Sequence, residues 1–341
     1  MSLDDKFKQA YQMMQAASRL LFVTHLRPDG DALSSLCALR LVAKHLGKDS
    51  LAFSQSKNGE LFDYLPGFDE IDENITALRK RGNFTDGLIE RFDLIIVSDC
   101  GALARTALSS ELHAFKEAGG KIIEFDHHPH IDDYADLEIR EPLKSSSAEL
   151  IYDFIMANKV PFTKEMADCV LTGILTDTGN FLYPSATDAT MKAASAALEA
   201  GAHYSKIVSY TLGNKDMAMV KMWGVALERL QLNTRYQMAI TVISRDDINA
   251  ILGEVDIDVA AESELFSGLA GFLSNLAGAK AVLLLYEDRN GMIRGSLRST
   301  ANGMYVDRLA RALGGGGHER ASGFAFPGKL IKKGKKWIVI N

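Results

Sequence analysis

The sequence predicts an α/β protein of two domains. The first is a mostly parallel sheet with helices on both faces; a helical linker joins it to a smaller C-terminal α/β domain. Three observations lead there. Short apolar runs alternate with stretches of helical spacing, the pattern of strand–helix–strand units. Three of these runs end in acids and imidazoles: Phe22-Val23-Thr24 enters His25-Leu26-Arg27-Pro28-Asp29-Gly30-Asp31, Leu94–Ser98 enters Asp99, and Ile122–Phe125 enters Asp126-His127-His128. Open α/β sheets place their ligand sites at such carboxyl ends. Finally, 341 residues exceed the roughly 250–300 at which a single core stops growing.

Taken in order, Asp4 to Ser18 spaces Phe7, Ala10, Tyr11 and Met14 as a helix does and leads into the first strand. A second helix follows the His25–Asp31 loop on Leu33, Leu36, Leu39 and Leu41. Strands are expected at Leu51–Phe53, Leu94–Ser98 and Lys121–Phe125, and helices at Ser147–Ala157 and Lys164–Thr176, the last ending in Asp177-Thr178-Gly179-Asn180-Phe181. From Thr187 to Leu232 the pattern is purely helical, broken at Gly201, and reads as a connector rather than a core. Beyond it, Tyr236–Ile243, Ala281–Tyr286 and Met292–Leu297 read as strands, the last after an Arg289-Asn290-Gly291 turn. Glu262–Leu276 and Tyr305–Leu313 read as helices, the second entering Gly314-Gly315-Gly316-Gly317-His318. The expected domains are residues 1–190, a linker at 191–222, and residues 223–341.

Composition narrows the function classes. No apolar run approaches the ~20 residues of a membrane helix, and the first nine residues, with acids and lysines, do not read as a secretory signal. Cys37, Cys100 and Cys169 are odd in number and scattered, which argues for a reducing compartment and a cytoplasmic enzyme. A net charge of −6 is unsuited to gripping long double-stranded DNA. Small anionic substrates stay open, as does a homodimer. Lys329, Lys332, Lys333, Lys335 and Lys336 form one basic patch, either a solvated strand or turn or a substrate-facing surface.

The residues also suggest a chemistry. Pro28 stiffens the first loop, and Gly30 permits a tight bend between Asp29 and Asp31, whose carboxylates can then serve two different metal ions. Asp99 ends a strand where its carboxylate can bridge two ions; His127 adds an imidazole and Asp177 a carboxylate. Such mixed donors suit two divalent ions, Mn²⁺ first, with Mg²⁺, Co²⁺ or Zn²⁺ as alternatives. Two ions about 3.5–4 Å apart clamp the attacking and leaving oxygens of a displacement at phosphorus and acidify a shared water. His128 is left to donate to the scissile phosphate, and Asp126 to orient an imidazole. An isolated Asp at a strand end is usually a cap; three strands and a helix all ending this way are not explained by capping alone. The glycine run reads as a hinge or as a backbone nest for an anion, with Arg298 and His318 as phosphate-binding cations.

These residues resemble a known family. His25-x-x-Pro28-Asp29-Gly30-Asp31, Asp99 with Arg105, Asp126-His127-His128 and Asp177 look like the four motifs of the DHH phosphoesterases. Ser296-Leu297-Arg298-Ser299 and the Gly314–His318 run look like the type-1 DHH-associated C-terminal domain. The resemblance implies one ion on His25, Asp29 and Asp99 and another on Asp31, Asp99, His127 and Asp177, with Asp31, Asp99 and His128 at the chemistry. It implies an active site in the inter-domain cleft, with a nucleotide phosphate held by Arg298, Ser299, Gly315, Gly316, Gly317 and His318. Arg105 and Asp126 take supporting roles. Arg27 stands where the family often has asparagine, and Leu33-Ser34-Ser35 where it usually has Ile-Gly-Ser. Within the family the compact architecture is similar to the branch that hydrolyses short oligoribonucleotides and 3′-phosphoadenosine 5′-phosphate (pAp). Cyclic or linear dinucleotide phosphodiesterase, inorganic pyrophosphatase or polyphosphatase, and a non-catalytic nucleotide sensor are the alternatives.

Overall fold

Helix α1 (Leu3–Ala16) starts where the Ser2 hydroxyl accepts the Asp5 N–H, and it buries Phe7, Ala10 and Met14. Their spacing puts all three on one stripe. The computed structural model describes residues 1–57, 59–82, 92–211, 213, 216–253, 266, 268–300, 304–317, 319–334 and 336–340.

Six strands follow in the first half: β1 (Arg19–Val23), β2 (Asp49–Phe53), β3 (Ile71–Asp72), β4 (Leu94–Ser98), β5 (Lys121–Asp126) and β6 (Leu137–Arg140). They pair in the order β3-β2-β1-β4-β5-β6, every pair parallel. Alternate residues of each strand face opposite sides, and both sides are apolar. Leu20, Phe22, Ile96, Ile123 and Phe125 pack with α1, α2 (Gly30–His45) and α6 (Ser147–Ala157). Leu21, Val23, Ile95, Val97 and Ile122 pack on the other side with Leu78 of α4 (Ile75–Gly82) and Leu112 and Phe115 of α5 (Ser109–Glu117). Helix α3 (Gly59–Phe62) lies between β2 and β3 in sequence. The sheet order runs outward in both directions from β1 and β4, so the carboxyl ends of these two strands flank the switch point where such sheets bind ligands.

Helix α7 (Lys164–Asp177) packs against α2 through two glycines. A Cβ on Gly173 would stand 2.4 Å from Asp31 Oδ1 and 2.4 Å from Ala148 Cβ; one on Gly30 would stand 2.4 Å from Thr176 Cγ2. Gly30 is therefore the first residue of a helix held close to its neighbour, not the tight bend expected from sequence. Helices α8 (Asp188–Glu199) and α9 (Tyr204–Thr211) depart further from expectation. Ala194, Ala197 and Ile207 are buried against Ala167, Leu171 and Leu175 of α7, so this helical stretch joins a core instead of merely connecting. Small alanines hide such a face from a reading keyed to large side chains.

The chain divides into two compact units, Met1–Phe181 with Ser185–Asn214, and Leu182–Pro184 with Lys215–Asn341. In the second, β7 (Gln231–Asn233), β8 (Met238–Ile243), β9 (Ala281–Glu287), β10 (Met292–Ser299), β11 (Gly316–Gly317) and β12 (Ala321–Pro327) form a sheet ordered β11-β12-β10-β9-β8-β7. Only β8 and β9 run parallel. Helices α10 (Met217–Glu228) and α11 (Arg245–Leu252) pack Met222, Ala226 and Ile248 onto Ala239, Val282 and Leu284. Of the helix expected at Glu262–Leu276, Leu269–Leu273 is helical, and residues 262–265 and 267 lie outside the described residues. Strand β12 was not anticipated, and the basic segment, read as a strand or turn or as a substrate-facing surface, forms a hairpin of β13 (Lys329–Lys333) and β14 (Lys336–Ile340). The basic patch lies on that hairpin, with Lys335 outside the described residues.

Replacing Gly173 by Ala tests the α2–α7 contact. Alanine favours the helix by about 1 kcal/mol, but overpacking costs about 1–3 kcal/mol. The expected outcome is a lower urea midpoint and a net loss of about 1 kcal/mol or more; an unchanged midpoint would show that Ala148 and Asp31 give way freely.

Candidate metal centre

Each donor arrives from a strand end or helix end. β1 leads through Thr24, whose hydroxyl donates to the Ser98 carbonyl at 2.8 Å, into buried His25. Asp29 caps α2, its Oδ1 accepting the Ala32 N–H at 3.0 Å, and Asp31 lies in the first turn of that helix. Capping and site membership thus coincide in one aspartate. Asp99 follows β4 in the left-handed region (φ 53°), its N–H donating to the Phe125 carbonyl of β5 at 2.9 Å. Aspartate tolerates that backbone better than most side chains. His127 and His128 follow β5, and Asp177 ends α7.

These elements bring three overlapping groups together: His25, Asp29 and Asp99; Asp31, His127 and Asp177; and Asp99, His127 and His128, with one donor atom from each residue within 4.8 Å of the others in its group. The two oxygens of Asp99 face different imidazoles. Oδ2 lies 3.9 Å from His25 Nε2, and Oδ1 lies 3.6 Å from His127 Nε2. His127 Nε2 is also 3.2 Å from Asp177 and 3.9 Å from Asp31.

The far nitrogens of the rings are occupied elsewhere. His25 Nδ1 lies 2.9 Å from the Leu26 carbonyl, and His127 Nδ1 lies 3.3 Å from the Lys144 carbonyl. With Nδ1–H donating to a carbonyl, each Nε2 lone pair points into the carboxylate cluster, the tautomer a metal ligand requires. His128 is turned differently: its Nδ1 lies 2.8 Å from Asp126 Oδ1.

Electrostatics give the fit for a cation. Asp31 and Asp99 are almost fully buried. Burial, and then Asp177, pushes the Asp31 carboxyl up to about 8, even though Ser147 and Ala148 at the start of α6 donate their N–H groups to it at 2.6 and 2.9 Å. Burial, then Asp31 and Asp29, raises Asp99 well above the carboxylate range. For His127, burial opposes protonation, but Asp177, Asp31 and Asp126 prevail and raise it to about 10. Carboxylates crowded in a dry place need either protons or a multivalent cation. Two imidazoles and four carboxylates are a donor set that holds divalent ions.

Ser147 was missed from sequence, although its Oγ donates to Asp99 Oδ1 at 2.9 Å. Its signal was the Ser146-Ser147-Ala148-Glu149 start of α6, a Ser-x-x-Glu helix opening. Arg105 lies in a single 3₁₀ turn, its carbonyl accepting the Leu26 N–H at 2.8 Å, and it adds positive charge near His25. In the second unit, Arg298 shares a face of β10 with Arg294 and Ser296, whereas Ser299 is buried on the opposite face. Of the glycine run, Gly314 and Gly315 donate their N–H groups to the Arg311 and Ala310 carbonyls, and Gly316 and Gly317 pair with β12. Among the described residues the run is therefore a helix end joined to a short edge strand. His318 lies outside the described residues.

A doubly wound α/β unit that gathers carboxylates and imidazoles at its switch point is suited to hold divalent cations, and together with the matches that follow it makes this chain a metal-dependent phosphoesterase, a hydrolase. Residues 19–174 match the DHH family, N-terminal domain, and residues 247–338 match the DHHA1 domain. The chain belongs to the DHH family. It is 27% identical to the bifunctional oligoribonuclease and PAP phosphatase NrnA of Bacillus subtilis, over 88% of this chain and 86% of that protein. The protein of the same name from Thermus thermophilus is 25% identical, over 95% and 89%. An exopolyphosphatase-related protein from Bacteroides fragilis shares the fold, with a TM-score of 0.79 and 24% identity, covering 95% of this chain and 92% of that one. No described helix is long and apolar enough to cross a membrane.

The protons on this cluster set its pH behaviour. Without metal, Asp31 holds a proton between its ordinary 3.8 and about 8 that the unfolded chain lacks, so stability falls as pH rises through that window. His127 acts in the same direction, its contribution complete below 6.5 and lost as pH climbs through about 10. Binding a divalent ion must expel these protons. Calorimetric titration with Mn²⁺ in buffers of different ionisation enthalpy should show net proton release at pH 7, with affinity rising from pH 6 to 8. A pH-independent affinity without proton release would contradict this account.

Proposed function

We propose that this chain is a Mn²⁺-dependent phosphodiesterase and phosphatase that uses two metal ions on short oligoribonucleotides, dinucleotides and pAp. The observation that carries the two-ion reading is Asp99, whose Oδ2 faces His25 and whose Oδ1 faces His127. A carboxylate placed between two donor sets is suited to bridge two cations. His25, Asp29 and Asp99 would hold one, and Asp31, Asp99, His127 and Asp177 the other. When bound, such ions stabilise charge on the phosphoryl oxygens and supply an acidic water.

The chain's own residues do the rest. The carbonyls of Leu26 and Lys144 fix the tautomers of the two ligand imidazoles. The amides and hydroxyl at the start of α6 hold the Asp31 and Asp99 carboxylates in place. His128, its ring oriented through Nδ1 by Asp126, is the residue we assign to a substrate phosphate oxygen. Arg298 is the residue we assign to the substrate's distal phosphate, its guanidinium suiting paired phosphate oxygens. The choice of short ribonucleotides and pAp is supported by the names of the Bacillus and Thermus relatives, which match this chain along most of its length.

Asp99→Ala should abolish Mn²⁺-stimulated turnover; full activity in that variant would end the two-ion reading. Arg298→Ala should raise KM by the equivalent of about 1.5–3 kcal/mol, the range for charge-assisted hydrogen bonds. An unchanged KM would remove Arg298 from recognition. A Mn²⁺ turnover panel of pApA, longer RNA, pAp, cyclic di-AMP and pyrophosphate tests the substrate class. Diribonucleotide and pAp should lead, and a preference for long RNA or for pyrophosphate would overturn the assignment.

A further inference from the structure

Strand β5 carries charge on one of its faces. Glu124 and Asp126 point the same way, and in the parallel ladder Glu124 pairs with Glu138 of β6 and Asp126 with Arg140. The Arg140 side chain is 5% exposed, Glu124 is 1% and Asp126 is fully covered. A guanidinium so buried is costly unless its donors are placed. Two of its three nitrogens are hydrogen-bonded, and the third is in an ion pair. Nε donates to Glu138 Oε1 at 2.6 Å, and Nη2 stands 2.7 Å from Glu124 Oε2 without the angle of a hydrogen bond. The other oxygen of Glu124 accepts the Tyr134 hydroxyl, which holds that carboxylate from behind.

The third donor reaches toward the site. Nη1 donates to the backbone carbonyl of His128 at 2.7 Å and to that of Pro129 at 3.2 Å, and it stands 3.5 Å from Asp126 Oδ2. Asp126 in turn engages His128 twice, accepting its N–H at 2.7 Å and lying 2.8 Å from ring Nδ1, both through Oδ1. Oδ2 accepts the Gly101 N–H. One guanidinium therefore grips both the peptide on which His128 rides and the carboxylate that orients its ring.

We propose that Arg140 is a positioning residue for His128, fixing through the 128 and 129 carbonyls and the Asp126 carboxylate the ring orientation with which His128 meets the substrate phosphate. The inference rests on the proposed contact of His128 with substrate. Lysine keeps the charge but cannot hold three carboxylates and two carbonyls with one planar fork. Glu138, half-exposed, is the outer brace of the guanidinium.

The test is a mutant cycle on the full chain with Mn²⁺ and pApA. Arg140→Lys should lower kcat about tenfold to a hundredfold, as loss of an orienting partner does, with KM and calorimetric Mn²⁺ affinity unchanged. In a His128→Ala background it should cost nothing further. Glu138→Gln, which leaves the buried pair intact, should show the same split more weakly and serves if Arg140→Lys folds poorly. In the metal-free protein, the downfield proton resonance of His128 Nδ1–H should broaden in both variants, a readout that needs no turnover. Losses that multiply with those of His128→Ala, or Mn²⁺ affinity falling in step with kcat, would overturn the inference and leave Arg140 a structural residue. Unimpaired Arg140→Lys beside an impaired His128→Ala would defeat this inference alone. An unimpaired His128→Ala would defeat the substrate contact, and this inference with it.

Discussion

The arrangement depends on one electrostatic constraint: aspartates held out of water too close together to be ionised at once without a cation among them. The same fold shows how a buried carboxylate is accommodated by protein alone. Glu149 takes the Ser145 N–H at 3.0 Å, the Ser145 hydroxyl at 2.6 Å, Lys144 Nζ at 3.0 Å and the Thr190 hydroxyl at 2.9 Å. Burial opposes its charge, yet these partners, Ser145 foremost and then Lys144, hold it below the ordinary range. Asp99 takes the Ser147 hydroxyl and faces His25 and His127, and burial with neighbouring acids drives it the other way. The contrast separates a carboxylate whose charge the protein itself satisfies from one whose charge it opposes.

The scaffold serves that constraint at every level. A parallel sheet buried on both faces delivers three strand ends side by side, the doubly wound arrangement in which strand order reverses beside the site. Glycines at the α2–α7 contact let the helices carrying Asp31 and Asp177 approach until their carboxylates share one imidazole. The first turn of α6 adds amides and a hydroxyl, a weakly positive helix end. None of these groups carries a full positive charge, so they steady the carboxylates without replacing a cation.

How much of this was legible follows from where each signal sits in the chain. The strand ends at His25, Asp99 and Asp126 could be read because polar donors interrupt apolar runs, and the alternation of elements gave the α/β class. Ser147 could not be ranked above other serines, since a helix-opening serine has a sufficient role already. The Lys144 carbonyl is invisible to any reading of side chains. Glu124 interrupts an otherwise apolar strand, and only the pairing of β5 with β6 brings Arg140 to it. In the second unit, small residues and glycine concealed β12, whereas a strand or turn was among the readings of the lysine-rich segment. The four glycines read as a hinge or an anion nest, and the chain turns them into a helix end followed by a short edge strand, which glycines alone do not announce.

Asp99 also bears on how such a protein could change over generations. Its left-handed backbone restricts what the position accepts before any chemistry is asked of it. Asparagine meets that conformational demand as well as aspartate does, and glycine meets it better. A lineage released from selection for hydrolysis could thus exchange this aspartate for either and keep its sheet, its strand ends and its outward likeness to active relatives. On the two-ion reading proposed above, one side chain at this turn would say more about a retained activity than resemblance along the rest of the chain.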